Sequence, residues 1–198
     1  MTASPNVPVR IAPGAEPADM TALRTLATGA ATLLRAAFLD GMAGTATTVA
    51  VVATDGPAGR SGLTVSSLTS VSADGERPTL LVCVRADSPT AAAILSNGTF
   101  AVNVLGDHDA ATADLFAGRT GIAGPERFDA VEWEPGTTGC PRLVDARATF
   151  ECRLAETSRV GTHLILFGAV EAVVPGSAAG SALVYAERRY RRLAPLSA

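Results

Sequence analysis

From Thr21 the apolar residues Leu23, Leu26, Ala30, Leu33, Leu34 and Ala37 recur at three- and four-residue steps, the spacing of one helical face. They predict a helix that closes at Asp40-Gly41 or runs on through Met42 and Ala43. The pattern then changes. Thr47 to Thr54 is β-branched and short, and reads as a strand. Asp55-Gly56-Pro57 and Gly59 make a turn. Ser61 to Ser72 is a second extended stretch, and Thr79 to Val84 a third, so continuously apolar that burial on both faces is expected. Ser88 suits a helix N-cap and Pro89 the first helical position; Asn97-Gly98 suits the left-handed stop. Phe100 to Leu105 reads as a strand and Asp107 to Ala117 as a second capped helix. After a loop near 118–141, β patterning returns at Ala148–Leu154 and His163–Val174. Ala178 to Ala182 is small and flexible in composition. A short strand, Leu183-Val184-Tyr185, precedes the cluster Arg188-Arg189-Tyr190-Arg191-Arg192.

Residues 1–20 are Pro- and Ala-rich without periodicity and read as a flexible arm, leaving 21–195 as the folded domain. Six or more strands with few helices between them do not alternate as a doubly wound sheet does. The expected fold is mainly β, a closed antiparallel barrel with peripheral helices. No internal repeat is evident.

Composition narrows the function. A chain of 198 residues is one domain by default and buries enough surface to need no disulfide or metal staple. A net charge of −3 argues against a nucleic-acid or membrane-surface partner. All sixteen basic residues are arginine, which excludes Schiff-base chemistry and a Gly-Lys-Ser/Thr phosphate loop. Cys83, Cys140 and Cys152 are widely spaced and odd in number, as expected of a reducing cytoplasm. No basic, apolar leader opens the chain, and no stretch is apolar and long enough to span a bilayer.

Chemical motifs are sparse. Gly118-x-x-Gly121-x-x-Gly124 has the wrong spacing for a dinucleotide turn and follows a helix. There is no Gly-x-Ser-x-Gly elbow. His108, between Asp107 and Asp109, reads as a solvated helix start, and no metal site is expected. What remains is small polar groups near strand ends, the pattern of a protein whose cofactor carries the chemistry.

One stretch carries a resemblance. Gly62-Leu63-Thr64-Val65-Ser66-Ser67-Leu68-Thr69-Ser70-Val71-Ser72 resembles the flavin-binding signature of the short-chain flavin reductases, the reductase components of two-component flavin-dependent monooxygenases. Further matches follow in order: Arg77 to Val84, Ser88 to Leu95, Phe100 to Leu105, Leu115 to Arg119, Phe150-Glu151-Cys152, Gly161-Thr162-His163 with Phe167 to Val170, and Tyr185 with Arg189-Tyr190-Arg191. The resemblance runs from about Leu23 to Leu193. It implies a split β-barrel of antiparallel Greek-key type, a cytoplasmic homodimer, FMN or FAD at the dimer interface, and NADH or NADPH as reductant. Reduced flavin would diffuse to a partner monooxygenase. Two departures stand out: Thr162 replaces the usual acid of Gly-Asp-His, and residues 72–78 are longer than the usual turn.

The resemblance also implies a site. Backbone groups and hydroxyls of Gly62, Leu63, Thr64, Val65, Ser66 and Ser67 would meet the ring edge, with Gly62 allowing close approach. Val82, Cys83 and Val84 would flank the ring or ribityl chain. The helix opening at Ser88 and Thr90 would cradle phosphate, with Arg85 adding charge. Phe116, Tyr190 and Arg191 join the cofactor side by position in the matched motifs. His163 would bond the nicotinamide or pyrophosphate and so serve catalysis. Each feature has a plainer reading: a barrel strand with locally bonded hydroxyls, an ordinary helix cap, a surface histidine. Two other functions stay open: a flavin carrier or sensor without turnover, and a flavoprotein that reduces ferric iron or a quinone.

Overall fold

The computed structural model describes residues 17–176 and 180–196. They form two compact units, one up to Gly44 and one from Thr45. The first holds helix α1, Pro17–Ala43. It begins ahead of the periodic run at Thr21, because proline lacks only an N–H that the first turn leaves unused. Residues 1–16 of the expected arm lie outside the described residues.

The second unit is built on strands, in chain order β1 (Thr47–Thr48), β2 (Ala50–Thr54), β3 (Ser61–Val65), β4 (Thr69–Ser72) and β5 (Thr79–Arg85). Helix α2 (Pro89–Asn97), β6 (Thr99–Val104), α3 (Ala110–Phe116) and α4 (Glu126–Asp129) follow. Then come β7 (Trp133–Pro135), β8 (Pro141–Leu143), β9 (Ala148–Val160), β10 (His163–Pro175), β11 (Leu183–Ala186) and β12 (Arg189–Arg192). The expected loop at 118–141 thus contains α4 and the first strand of a hairpin. Asp109 does not cap α3; its carboxylate turns back to accept the Gly106 N–H at 2.8 Å. Of the small segment at 178–182, residues 178 and 179 lie outside the described residues.

Seven strands make one antiparallel sheet in the order β3-β2-β6-β9-β10-β5-β4. Its two end strands, β3 and β4, are neighbours in sequence, joined by residues 66–68. The extended stretch expected from Ser61 to Ser72 is therefore two strands serving opposite ends of the sheet. Inside, Val52, Val65, Val82, Phe100, Val102 and Leu166 pack as one core. A second core lies on the other face of β2, where Val51 and Ala53 meet Leu105, Leu115, Phe116 and Phe128. Alternation along β2 feeds both cores, so all five of its residues are buried.

β5 departs from expectation. Leu80, Val82 and Val84 face the inner core, but Leu81 and Cys83 between them are only half-buried. The strand is covered on one face, not two. Asn103 ties the layers together. Its Nδ2 donates to Val51 O (3.2 Å) and Pro141 O (3.3 Å), and its Oδ1 accepts from Leu143 N (2.9 Å) and Thr149 Oγ1 (3.0 Å). A buried amide is tolerable because every bond it can make here is made.

Candidate active site

The sheet is unpaired between its two end strands, and the sequence places small hydroxyl residues there. Ser67 closes the interval to β5 with both sides of its hydroxyl: it accepts from Cys83 N (2.8 Å) and donates to Cys83 O (3.1 Å). Cys83 then points outward, half-buried, with exposed Arg85 two residues on. The chain turns at Arg85–Ser88, where Ser88 N donates to Arg85 O at 3.1 Å, and enters α2. Ser88 is an extended N-cap whose side chain accepts from Ala91 N at 3.1 Å. The Ser61 and Thr90 hydroxyls lie 2.8 Å apart beside it.

His163 arrives from β10, the strand beside β5. The register pairs it with Arg85, and Ala86 N donates to Thr162 O at 2.9 Å. The Thr162 hydroxyl lies 3.1 Å from His163 Nδ1, on an exposed turn. Arg85 grips Asp87 through Nε (2.9 Å) and Nη2 (2.6 Å). That bond holds the Asp87 carboxyl below the usual carboxylate range and raises the guanidinium, with His163 adding a small pull on Asp87. Ser67, Cys83, Arg85, Ser88, Thr90 and His163 therefore form one group along β5 and its exit.

A second group forms where the signature segment leaves β3. Thr64, Val65 and Ser66 line a pocket of about 170 Å3 with Val49, Arg119, Tyr185 and Tyr190. The Tyr190 hydroxyl donates to Asp114 Oδ1 (2.9 Å), which also accepts from Arg119 Nη1 (2.8 Å). Burial, helped by the Asp114 bond, pushes the Tyr190 phenol up to about 12. Arg191 lies toward a different cavity of about 500 Å3. Residues 65–67 link the groups, with Val65 and Ser66 in the second and Ser67 in the first.

Several expected residues are spent wholly or partly on packing and internal bonds. Gly62 is not a backbone window for a ligand: a Cβ there would sit 3.1 Å from Phe128 Cζ and 3.2 Å from Phe116 Cε1, so the glycine makes room for the second core. Phe116 belongs to that core, 2 % exposed and stacked edge-on with Phe128 and Trp133. Val82 and Val84 are buried inward, so Cys83 alone of the three can offer a side chain. Leu63 packs against the inner core. The Thr64 hydroxyl donates to Ala113 O at 2.7 Å and holds α3 to β3. Thr90 is buried behind Ser61. Sequence reasoning missed Ser61, Asp114, Arg119 and Tyr185 as site neighbours. Ser61 and Asp114 adjoin matched motifs, and Arg119 and Tyr185 lie within them. The meeting of Asp114 with Tyr190 depends on how α3 crosses the last hairpin, which no local pattern encodes. Among the described residues no cluster of three or more His, Cys, Asp or Glu is placed to hold a metal ion.

Residues 42–194, spanning both groups, match the family described as flavin reductase like domain. The chain belongs to that family. It is 46% identical over 158 residues to an FMN reductase (NADH), RutF 1, of Methylorubrum extorquens, an alignment covering 80% of this chain and 76% of that one. It superposes on BorF, the flavin reductase component of a bacterial two-component tryptophan halogenase, with a TM-score of 0.72 and 33% identity over 84% of this chain and 99% of that one. The NADH:FAD oxidoreductase SgcE6 of Streptomyces globisporus C-1027, solved with NAD and FAD fragments, gives a TM-score of 0.72 at 30% identity, covering 81% and 93%. These relatives establish the split-barrel fold of the flavin reductases for the unit built on β1 to β12. No helix among the described residues is long and apolar enough to cross a membrane.

Proposed function

We propose that this flavin reductase family member uses NADH to reduce FMN and releases the reduced flavin to a partner monooxygenase. The observation that carries the reading is the convergence, at the end of β5, of an outward Cys83, a helix start at Ser88, Arg85 and an exposed His163. These groups fit a flavin. The α2 N-terminus and Arg85 offer donors and positive charge to a phosphate. The backbone of Val65–Ser67 is held at a fixed distance from β5 by the Ser67 clamp, leaving polar edges for a ring. Bound flavin would supply the redox chemistry, accepting hydride from the nicotinamide. The chain's own contribution is placement: Ser66, Cys83 and the α2 start fix the flavin, and His163 orients the reductant. Thr162 stands where the family's acid is usual. Its hydroxyl, 3.1 Å from Nδ1, steadies the imidazole without adding charge.

The Ser66 pocket, about 170 Å3, is smaller than the roughly 300–1,000 Å3 typical of enclosed ligand sites. This supports a homodimer whose second subunit covers the flavin, in the cytoplasm where nicotinamide and free flavin are available. FAD and NADPH are the alternative substrates. Purified protein mixed with NADH and excess FMN should bleach the nicotinamide absorbance. Failure to oxidise NADH or NADPH with either flavin removes the reading.

A further inference from the structure

We propose that Asp87 is a latch on Arg85: its carboxylate occupies the guanidinium while the site is empty and yields it to the phosphate of an entering flavin. The proposal rests on the reading that this phosphate sits at the α2 start. It deepens that reading, because it gives the chain a means of holding flavin loosely and letting it go.

The local chain sets the geometry. β5 ends at Arg85, and the turn closes where Ser88 N donates to Arg85 O at 3.1 Å. Asp87 is the last residue before the Ser88 cap, so its charge stands at the mouth of the helix. Within this turn the carboxylate meets the guanidinium twice. Nε donates to Oδ1 at 2.9 Å, and Nη2 donates to Oδ2 at 2.6 Å. That is the forked geometry a guanidinium also offers to phosphate. Asp87 thus imitates the ligand with a group of the chain's own, and this edge of Arg85 is closed to a second anion until the pair parts.

The latch matters because the α2 start by itself offers few donors. Pro89 has no N–H, and the Ala91 N–H is already held by Ser88 Oγ at 3.1 Å. A phosphate there draws on Arg85 for its charge. The pair can yield because it lies at the surface, with the two side chains 63% and 66% exposed. Water solvates both partners as they part, and such pairs are held weakly. Protonation does not open the latch at neutral pH, since the bond from Arg85 keeps the Asp87 carboxyl below the usual carboxylate range. Exchange of one anion for another opens it. His163, the register partner of Arg85, faces the same turn and carries no negative charge to take Asp87's place. The free energy of parting the pair is therefore subtracted from the affinity for a phosphate-bearing flavin. Riboflavin, which has no phosphate, is indifferent to it. On release, Asp87 retakes Arg85.

The test is the Kd of oxidised FMN and of riboflavin, read from flavin fluorescence in about 0.15 M salt, where charges at a distance are largely screened. It compares the full-length wild type with Asp87→Asn, Arg85→Gln and the double variant, each shown by melting curves to be folded. Asp87→Asn should bind FMN about three- to fivefold more tightly than wild type, the range of one exposed ion pair, with riboflavin unchanged. In the Arg85→Gln protein the same substitution should change FMN affinity by less than about twofold, because there is no guanidinium to release. Equal gains in the two backgrounds would reveal plain charge repulsion and overturn the latch. Unchanged or weaker FMN binding by Asp87→Asn overturns it too, the weaker result meaning that Asp87 presents Arg85 to the phosphate. A gain for riboflavin equal to that for FMN does the same. No arm of the measurement uses NADH, so the two readings fail separately. An Arg85-dependent gain in a protein that oxidises no NADH supports the latch and overturns the reductase reading. FMN reduction without that gain does the reverse, and FMN that does not bind wild type overturns both.

Discussion

At the scale of single residues, one short segment serves two masters. Gly62 and Thr64 look outward from β3 into the second core, Ser66 lines the pocket beside Tyr190, and Ser67 turns toward β5. A ligand-facing role and a packing role are not distinguishable from the run Gly62–Ser67 alone, because both favour small residues. The structure separates them by what a side chain would strike. Gly62→Ala should destabilise the fold by about 1–3 kcal/mol through overpacking against Phe116 and Phe128. Urea unfolding should show the loss, and an unchanged midpoint would mean that this side of β3 is looser than described. Tyr190 offers a second check. Burial pushes its phenol up to about 12 from the ordinary 10.0. Below pH 10 both states keep the proton and the stabilisation is whole. Between about pH 10 and 12 only the unfolded chain releases it, so stability falls as pH rises. Tyr190→Phe should flatten that part of the pH–stability curve, and identical curves for the two proteins would contradict the burial described.

At the scale of elements, regular structure was readable where local chemistry dictates it. Helix α2 begins at a serine cap followed by proline and ends at Gly98 in the left-handed region, as its sequence announces. The interruption at 66–68 was not readable, since serine and threonine suit a strand and a turn alike. Nor was the pairing of the arginine cluster as β12, which rests on tertiary contact with β11. The reversal at Glu187-Arg188 uses two residues with side chains where glycine or asparagine is usual. Arg188→Gly should therefore stabilise the hairpin by up to about 1 kcal/mol, read as a raised melting temperature. A lowered one would show that the Arg188 side chain contributes more than its backbone conformation costs.

At the scale of the whole molecule, the family resemblance anticipated a split barrel, and the proposed site lies beside the sheet's unpaired ends. A sheet whose two end strands do not pair leaves backbone polar edges open beside a helix start, and the second core stiffens β3 from behind. The residues expected at the site did not foretell their arrangement. Half of them support the walls, and the cation opposite Ser66, Arg119, was not among them. The proposed seat of the flavin phosphate at the α2 start can be tested without disturbing the fold, because aspartate caps a helix as well as serine does. The decisive measurement is the KM for FMN and for riboflavin, with NADH as reductant, in wild type and Ser88→Asp. Charge repulsion should raise the FMN value by about tenfold or more and leave the riboflavin value within about twofold. Equal values for FMN in the two proteins would contradict the account.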